Sequence, residues 1–400
     1  MKNKGFLFRF PAALGDRIFP LSVRHGKHVF AVFTACLMLL CACGESGGAK
    51  PVRIISWNLQ TFLDAQTDGT EYAEFRGAKT SWNREKYEAR LDRLAAFIKE
   101  HRADIYVFQE VENEAVLQDI ANRCAGSVFS AQKALYGCFS AEKGAALGTG
   151  VLSRLPIADV KIHRTDIRAV RDLNIKNTSA LRCVLQPPLR PLLEIHIQSG
   201  AQNFTLFACH WKSKSGGEKA SNIWRSFQEA LLAGRILELT EKNPKESVIV
   251  CGDFNRDLKE FDFNKDTGKV CFTSESRQIE LYSAWLDVSE KQPDNFSQKD
   301  RGTDFTSGSY YFRDKWERID NFFYTASVNA VLFYAVNSGV HADNKGIPLR
   351  YNPHTGTGYS DHLPLFLNFH FHKKGGAIKI KKRCKYVYRT APVPTLIQPL

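Results

Sequence analysis

Ten cysteines are present, yet the chain has no C-x-x-C pair and no cysteine–histidine spacing of the kind that holds zinc. This excludes a zinc-built module. Nothing repeats at a fixed interval, which excludes a solenoid. No apolar run reaches the roughly 20 residues that a membrane-spanning helix needs. Acidic residues are the scarcer sign, 42 Asp and Glu against 55 Lys and Arg, for a formal net charge of +13. Such a surface draws polyanions, nucleic acid or anionic lipid, and says nothing about fold. What remains is 44% hydrophobic and 24% charged, the make-up of a soluble globular chain with a sizeable core.

Part of the positive charge belongs to the N-terminus. Residues 1–42 hold Lys2, Lys4, Arg9, Arg17, Arg24 and Lys27 against Asp16, so the rest of the chain carries +8. The basic stretch precedes the apolar run "VFAVFTACLMLLCA", Val29 to Ala42, which fits the apolar region of an export signal. The run ends in "LCAC", with Leu40 three residues before Cys43. This resembles a bacterial lipobox. The expected organisation is a signal peptide over 1–42, a lipidated Cys43 with a flexible tether over 43–51, a catalytic domain over 52–371 and a basic, proline-containing tail over 372–400. The expected location is the periplasmic or cell-surface face of a bacterial membrane, reached through the lipid anchor. A plain secretory signal that happens to contain cysteines is the alternative. No segment points to a protein partner.

Seven cysteines follow the anchor. Cys124 and Cys138 flank a loop-like segment and are the best pair for a disulfide in an exported chain. Cys209 and Cys251 lie inside apolar runs and read as buried thiols. The loop "DFNKDTG", Asp262 to Gly268, has a calcium-loop flavour, but its glycine comes one place late and no Glu closes it. It reads as an ordinary turn.

From Arg53 onwards, apolar runs alternate with amphipathic ones. "NREKYEARLDRLAAFIKEH" puts Tyr87, Leu91, Leu94, Ala95 and Ile98 on one helical face, and "NEAVLQDIANRC" does so with Leu117, Ile120 and Cys124. "SNIWRSFQEALLAGRILELT" is a longer helix built around Ile223, Phe227, Leu231 and Leu237. Strands are expected at "VRIISWNL", "DIYVFQE", "GTGVLSR", "LLEIHIQ", "NFTLFACH", "VIVC", "RIDNFFYT" and "PLFLNFHF". Several follow one another directly, which points to a sheet-on-sheet core with helices outside.

Polar residues recur where these strands end: Asn58, Glu110, His210, then Asp253 and Asn255. Asp320 opens an aromatic strand, and Asp361 and His362 precede the last one. A strand closed by glycine and Asp is by itself just a turn, and a lone histidine is more often structural than catalytic. Taken together, the residues predict a cleft at one edge of two sheets.

The ordered set "SWNLQ", "FQEVEN", "CHWKSKSGG", "CGDFNRD", "RIDNFFY" and "YSDHLPL" covers about residues 53–370. It resembles the endonuclease/exonuclease/phosphatase superfamily in its pancreatic deoxyribonuclease-like form. The resemblance implies an α/β fold, a four-layer sandwich of two packed mixed β-sheets flanked by helices, and metal-dependent hydrolysis of a phosphoester. It implies Mg2+, with Mn2+ as the alternative ion, held by Glu110, Asn58 and Asp361. Asp253 orients or deprotonates the attacking water, and Asn255 donates to the phosphate. His362, held by Asp320, stabilises the charge developing on phosphorus, and His210 contacts another oxygen. Some family nucleases give this last histidine a second carboxylate; the sequence does not place it, and Glu142 is a guess at the position.

Fold leaves substrate open. A nuclease acting on DNA or RNA is favoured by Lys212 and Lys214 just past His210, where a polyanion could pass, and by the basic balance. "KWERID" only half matches the inositol-phosphatase pattern. A sphingomyelinase-like or other phospholipid or inositol-phosphate phosphoesterase is the alternative, made more plausible by a lipid anchor and less so by the lack of a long apolar hairpin. A catalytically inactive binding protein is disfavoured, because crowded carboxylates are costly without a cation.

Overall fold

The computed structural model describes residues 6–10, 50–76, 81–125, 135–165, 186–200, 202–274, 277–288 and 308–372. The rest of the expected signal peptide, Cys43 with most of its tether, Cys183, and the tail from 373 with Cys384 lie outside the described residues.

In chain order the elements are β1 (Phe6–Phe10), β2 (Val52–Phe62), α1 (Arg84–Glu100), β3 (Ile105–Val111), α2 (Glu114–Arg123), β4 (Leu135–Ser140), β5 (Gly148–Ser153), β6 (Ile157–His163), β7 (Leu192–Ser199), β8 (Gln202–His210), α3 (Glu218–Lys242), β9 (Val248–Asp253), β10 (Asp262–Asn264), β11 (Lys269–Ser274), β12 (Arg277–Ser283), α4 (Ala284–Asp287), β13 (Tyr310–Phe312), β14 (Lys315–Glu317), β15 (Asp320–Tyr324), β16 (Val328–Ala335) and β17 (Leu365–Phe371). One mixed sheet runs β1-β4-β5-β3-β2-β17-β16 and the other β10-β11-β12-β15-β9-β8-β7-β6. β13 and β14 form a separate hairpin. In the first sheet only β2 and β3 are parallel, and in the second only β8 and β9.

Period-two alternation divides each central strand between two environments. On β2 and β3, Ile54, Ile105 and Val107 join the core between the sheets. Ile55, Trp57, Tyr106 and Phe108 pack outward under α1 and α2. Helix α1 starts at Asn83, whose side chain accepts from Lys86 N–H, and α2 at Asn113, which accepts from Val116 N–H; both are ordinary N-caps. Helix α3 covers the far face of the second sheet, so the layers are helix, sheet, sheet, helix: the expected four-layer sandwich. Its buried stripe runs through Trp224, Phe227, Leu232, Ala233, Ile236 and Leu237, while Ile223 and Leu231 are only partly buried. Asp262–Gly268 comprises β10 and the turn that joins it to β11, with Asn264 Oδ1 accepting from Thr267 N–H.

The expected Cys124–Cys138 bridge does not form. Cys138 points from β4 into the core between the sheets, whereas Cys124 ends α2 in the outer layer. The first sheet lies between the two residues.

Candidate active site

The alternation that builds the core also delivers the site. On β9, Cys251 faces β2, where the Ser56 hydroxyl meets its thiol. The next inward position of β9 is Asp253, and the next on β2 after Ser56 is Asn58. Asn58 Nδ2 donates to Asp253 Oδ2 at 3.0 Å, joining the ends of the two sheets. Register places His210 on β8 and Asp320 on β15 level with Asp253 on either side. Gly252 is needed for this: at φ +137° an added Cβ would come within 1.9 Å of the Cys209 carbonyl oxygen. The carboxylate at the end of a dry strand is thus the last inward residue of that strand, at the seam between sheets.

Asp320 holds His362. Its Oδ2 accepts from His362 Nδ1 at 2.8 Å and from Ser309 Oγ at 2.6 Å. Trp57 Nε1 donates to the His362 carbonyl, and Ser360 Oγ accepts from His362 N–H while donating to the Asn58 carbonyl. Tyr310 lies against the imidazole, ring centroids 4.8 Å apart. All of these except Tyr310 are buried. Burial opposes a charge on His362, but the surrounding carboxylates, Asp320 foremost and then Asp253 and Asp361, together outweigh it and raise the imidazole pKa. His210 is the opposite case. Burial pushes it well below the ordinary histidine value, and Arg190 adds to this. Its Nδ1 has no hydrogen-bond partner among the described residues. Burial, then the neighbouring Asp320, raises the pKa of Asp253.

Glu110 reaches the cleft because β3 carries a bulge. Strict alternation would send it outward with Phe108. Instead Val111 takes that outward position, the pairing skips Glu110, and Glu110 adopts φ +61°. Bulges commonly re-aim a side chain beside an active site. Gln60 and Thr61 on β2 also have positive φ, and Thr61 N–H donates to Glu110 Oε2 at 2.7 Å. The buried Arg90 fixes this stretch by donating to the carbonyls of Leu59, Gln60 and Thr61.

Oxygen donors of this kind suit a divalent cation. Among the described residues, Glu110 Oε1 is engaged by nothing closer than His210 Nε2 at 3.8 Å. Asp361 has only 3.8 Å approaches to His362 and Arg350. Both side chains are 19% exposed, so the residues present fit a hard metal ion open to solvent. Asp253, Asp320 and His362 are also close enough to hold a cation, their donor atoms lying within 4.8 Å. Asp320 Oδ2 is already taken up by His362 and Ser309, so this trio reads as a charge network.

Other residues are placed differently from expectation. Asn255, at φ +47°, donates Nδ2 to the Trp211 carbonyl and to Asp253 Oδ2, so its amide is engaged within the protein in this structure. Lys214 is ion-paired with Glu260 and Glu317 at 3.2 and 3.3 Å, and Lys212 bonds the oxygens of Ser213 and Ser215. Lys214 is thus neutralised, whereas Lys212 keeps its charge with its ammonium folded back on neighbouring serines. Glu142 pairs with Arg164 at 2.6 Å instead of His210. Arg190 was not singled out by its sequence context. It lines a small cavity beside His210 and Trp211 and has no ion pair among the described residues. Ser309, the hydroxyl on Asp320, was likewise missed; only the proximity of "SGSYYF" to "ERID" could have pointed to it.

Among solved structures, truncated TDP2 from Caenorhabditis elegans is 16% identical, covering 80% of this chain and 98% of its own, with a TM-score of 0.48. The human nocturnin catalytic domain, solved with bound sulfate, is 16% identical over 80% and 95%, TM-score 0.46. An endonuclease/exonuclease/phosphatase family protein from Bacteroides thetaiotaomicron is 16% identical over 81% and 96%, TM-score 0.47. No curated protein matches the chain. The model of the Endonuclease/Exonuclease/phosphatase family matches residues 55–362. That span runs from β2 to His362 itself, and the chain belongs to the endonuclease/exonuclease/phosphatase family, whose members hydrolyse phosphoesters.

Proposed function

We propose that the protein is an exported, metal-dependent phosphodiesterase that cleaves nucleic acid. The observation that carries this reading is Asp253. It is a buried carboxylate of raised pKa, fixed by Asn58 and Asn255, between a neutral imidazole and a cationic one. Asp253 orients the attacking water and takes its proton. His362, charged through Asp320, donates a hydrogen bond to the phosphate oxygen that gains charge. His210, neutral and 3.6 Å from Asp253, donates its one ring N–H to a second phosphate oxygen. Glu110 and Asp361, with the Asn58 amide oxygen, would hold Mg2+ or Mn2+, which supplies charge neutralisation on the phosphate and leaving oxygen when bound. Arg190 takes over the backbone contact expected of Lys214.

The test is hydrolysis of plasmid, RNA, sphingomyelin and inositol phosphates, each with Mg2+ and with EDTA. Nucleic-acid cleavage that needs the metal and is lost in Glu110→Ala, with unchanged thermal unfolding, supports the reading. Rapid lipid cleavage with inert plasmid replaces it with a phospholipid phosphodiesterase. We also propose that Cys43 carries a lipid that anchors the enzyme to a bacterial membrane. Cys43→Ser should then leave the membrane fraction at unchanged specific activity.

A further inference from the structure

The β13–β14 hairpin is more elaborate than its catalytic duties require. Its base is tied to the site: Tyr310 bridges His362 in backbone pairing, and Leu363 N–H donates to the Ser309 carbonyl. From there Tyr310 and Phe312, two residues apart on β13, project on one face with rings nearly parallel at 20° and 6.1 Å between centroids. The rings thus form a stair: His362 buried, Tyr310 half-buried, Phe312 exposed at 45%. Tyr311 packs on the other face against Trp316. The turn is a two-residue one, with Arg313 and Asp314 both at positive φ, the geometry that suits a tight hairpin. It sets the Arg313 guanidinium 5.1 Å from the Phe312 ring. Arg313 and Lys315 make no ion pair among the described residues.

An exposed aromatic ring costs solubility and adds nothing to this core. Here it stands one ring beyond Tyr310, which lies on the histidine proposed to meet the phosphate, and beside two cations that make no ion pair among the described residues. We propose that Tyr310 and Phe312 form a nucleobase subsite, on which the base next to the cleaved phosphate stacks while Arg313 and Lys315 face the flanking backbone. This rests on the nuclease reading and sharpens it: a stacking platform is tolerant of base identity, and it favours a single strand or frayed end, whose bases are free to unstack. A flexible acyl chain has no use for parallel rings, so a lipid surface is the disfavoured occupant.

The test compares wild type, Phe312→Ala and Phe312→Trp on a short single-stranded oligonucleotide, and on one with tetrahydrofuran in place of the nucleosides flanking the cleaved bond. Stacking on one ring is worth enough that Phe312→Ala should raise KM about tenfold on the base-bearing strand with kcat little changed. The base-free strand should bind wild type as weakly as the variant, and Phe312→Trp should keep or tighten the wild-type KM. Equal losses on both strands, or none on either, overturn the subsite. So does a loss seen only in binding to phosphatidylcholine–sphingomyelin vesicles, which would make the hairpin a membrane contact. Binding by fluorescence anisotropy in EDTA separates the two proposals. Base-dependent binding without cleavage keeps the subsite and removes the nuclease reading; cleavage without base dependence does the reverse; neither binding nor cleavage removes both.

Discussion

The two imidazoles of the cleft lie close to the same aspartate, Asp253, yet are built for opposite states. His362 has a carboxylate on Nδ1, a hydroxyl behind that carboxylate and an indole on its carbonyl. His210 is just as deeply buried, with an arginine nearby and nothing on Nδ1 among the described residues. The same desolvation acts on both, so the partner decides the charge. A fixed carboxylate at 2.8 Å turns burial from an obstacle into an amplifier, because the low local dielectric strengthens the pair. One histidine is therefore a standing cation and the other a neutral ring.

The sharpest way to break that asymmetry is at its carboxylate. His362→Ala and Asp320→Ala should each lower kcat by about a thousandfold, within the usual range for a positioned proton donor. The double variant should lose little more than the worse single, as residues acting as one unit do. Strictly multiplicative losses, measured on one substrate, would show that they do not act together.

His210→Asn should cost less, about a hundredfold, since a neutral ring offers one hydrogen bond and no full charge. A loss matching that of His362→Ala would mean that the two rings carry equal weight.

The third prediction concerns pH. His362 is needed as the cation, and its folded pKa is raised. Activity should persist above the ordinary histidine range and fall as pH rises through the folded value. Asp320→Asn removes the largest contribution to the raise and leaves burial opposed only by Asp253 and Asp361, so the alkaline limb of kcat should move to lower pH. Stability follows the same sign. The pair contributes fully below the unfolded value of about 6.5 and is lost as pH rises through the folded one, so the Tm deficit of Asp320→Asn should shrink at alkaline pH. An unmoved limb would take His362 out of the charged role.

The smallest effect is expected at Lys214. With Glu260 and Glu317 on its ammonium, Lys214→Ala should change KM by no more than about twofold, whereas Arg190→Ala should raise it about tenfold, a charge-assisted hydrogen bond being worth roughly 1.5–3 kcal/mol. Equal effects would restore the lysine to the substrate path.

What could be read from the sequence follows from what alternation encodes. Asp253, Asn58, His210 and Asp320 end or begin apolar strands on the inward phase, so local pattern was enough to bring them to one edge. The two sheets and outer helices followed from the same pattern. Glu110 was found by resemblance to a motif, but its geometry was invisible, because a bulge breaks the alternation that would have aimed it outward. Lys214 looked like a polyanion contact because its neutralising carboxylates lie 46 and 103 residues away. The Cys124–Cys138 pair looked close in sequence, and only the sheet between them separates the thiols. The aromatic stair on β13 needed a hairpin whose turn, Arg-Asp, lacks the usual glycine or asparagine signal.

The contact between Asn58 and Asp253 has a further consequence. Each sheet supplies half of the cleft, so neither layer is competent without the other, and the hydrogen bond across the seam exists only while both are docked. Catalysis then reports the intact sandwich and not any one layer. In a denaturant titration, loss of turnover should coincide with loss of tertiary signal, and slowly exchanging amides of β2 and β9 should be released together, as one cooperative unit.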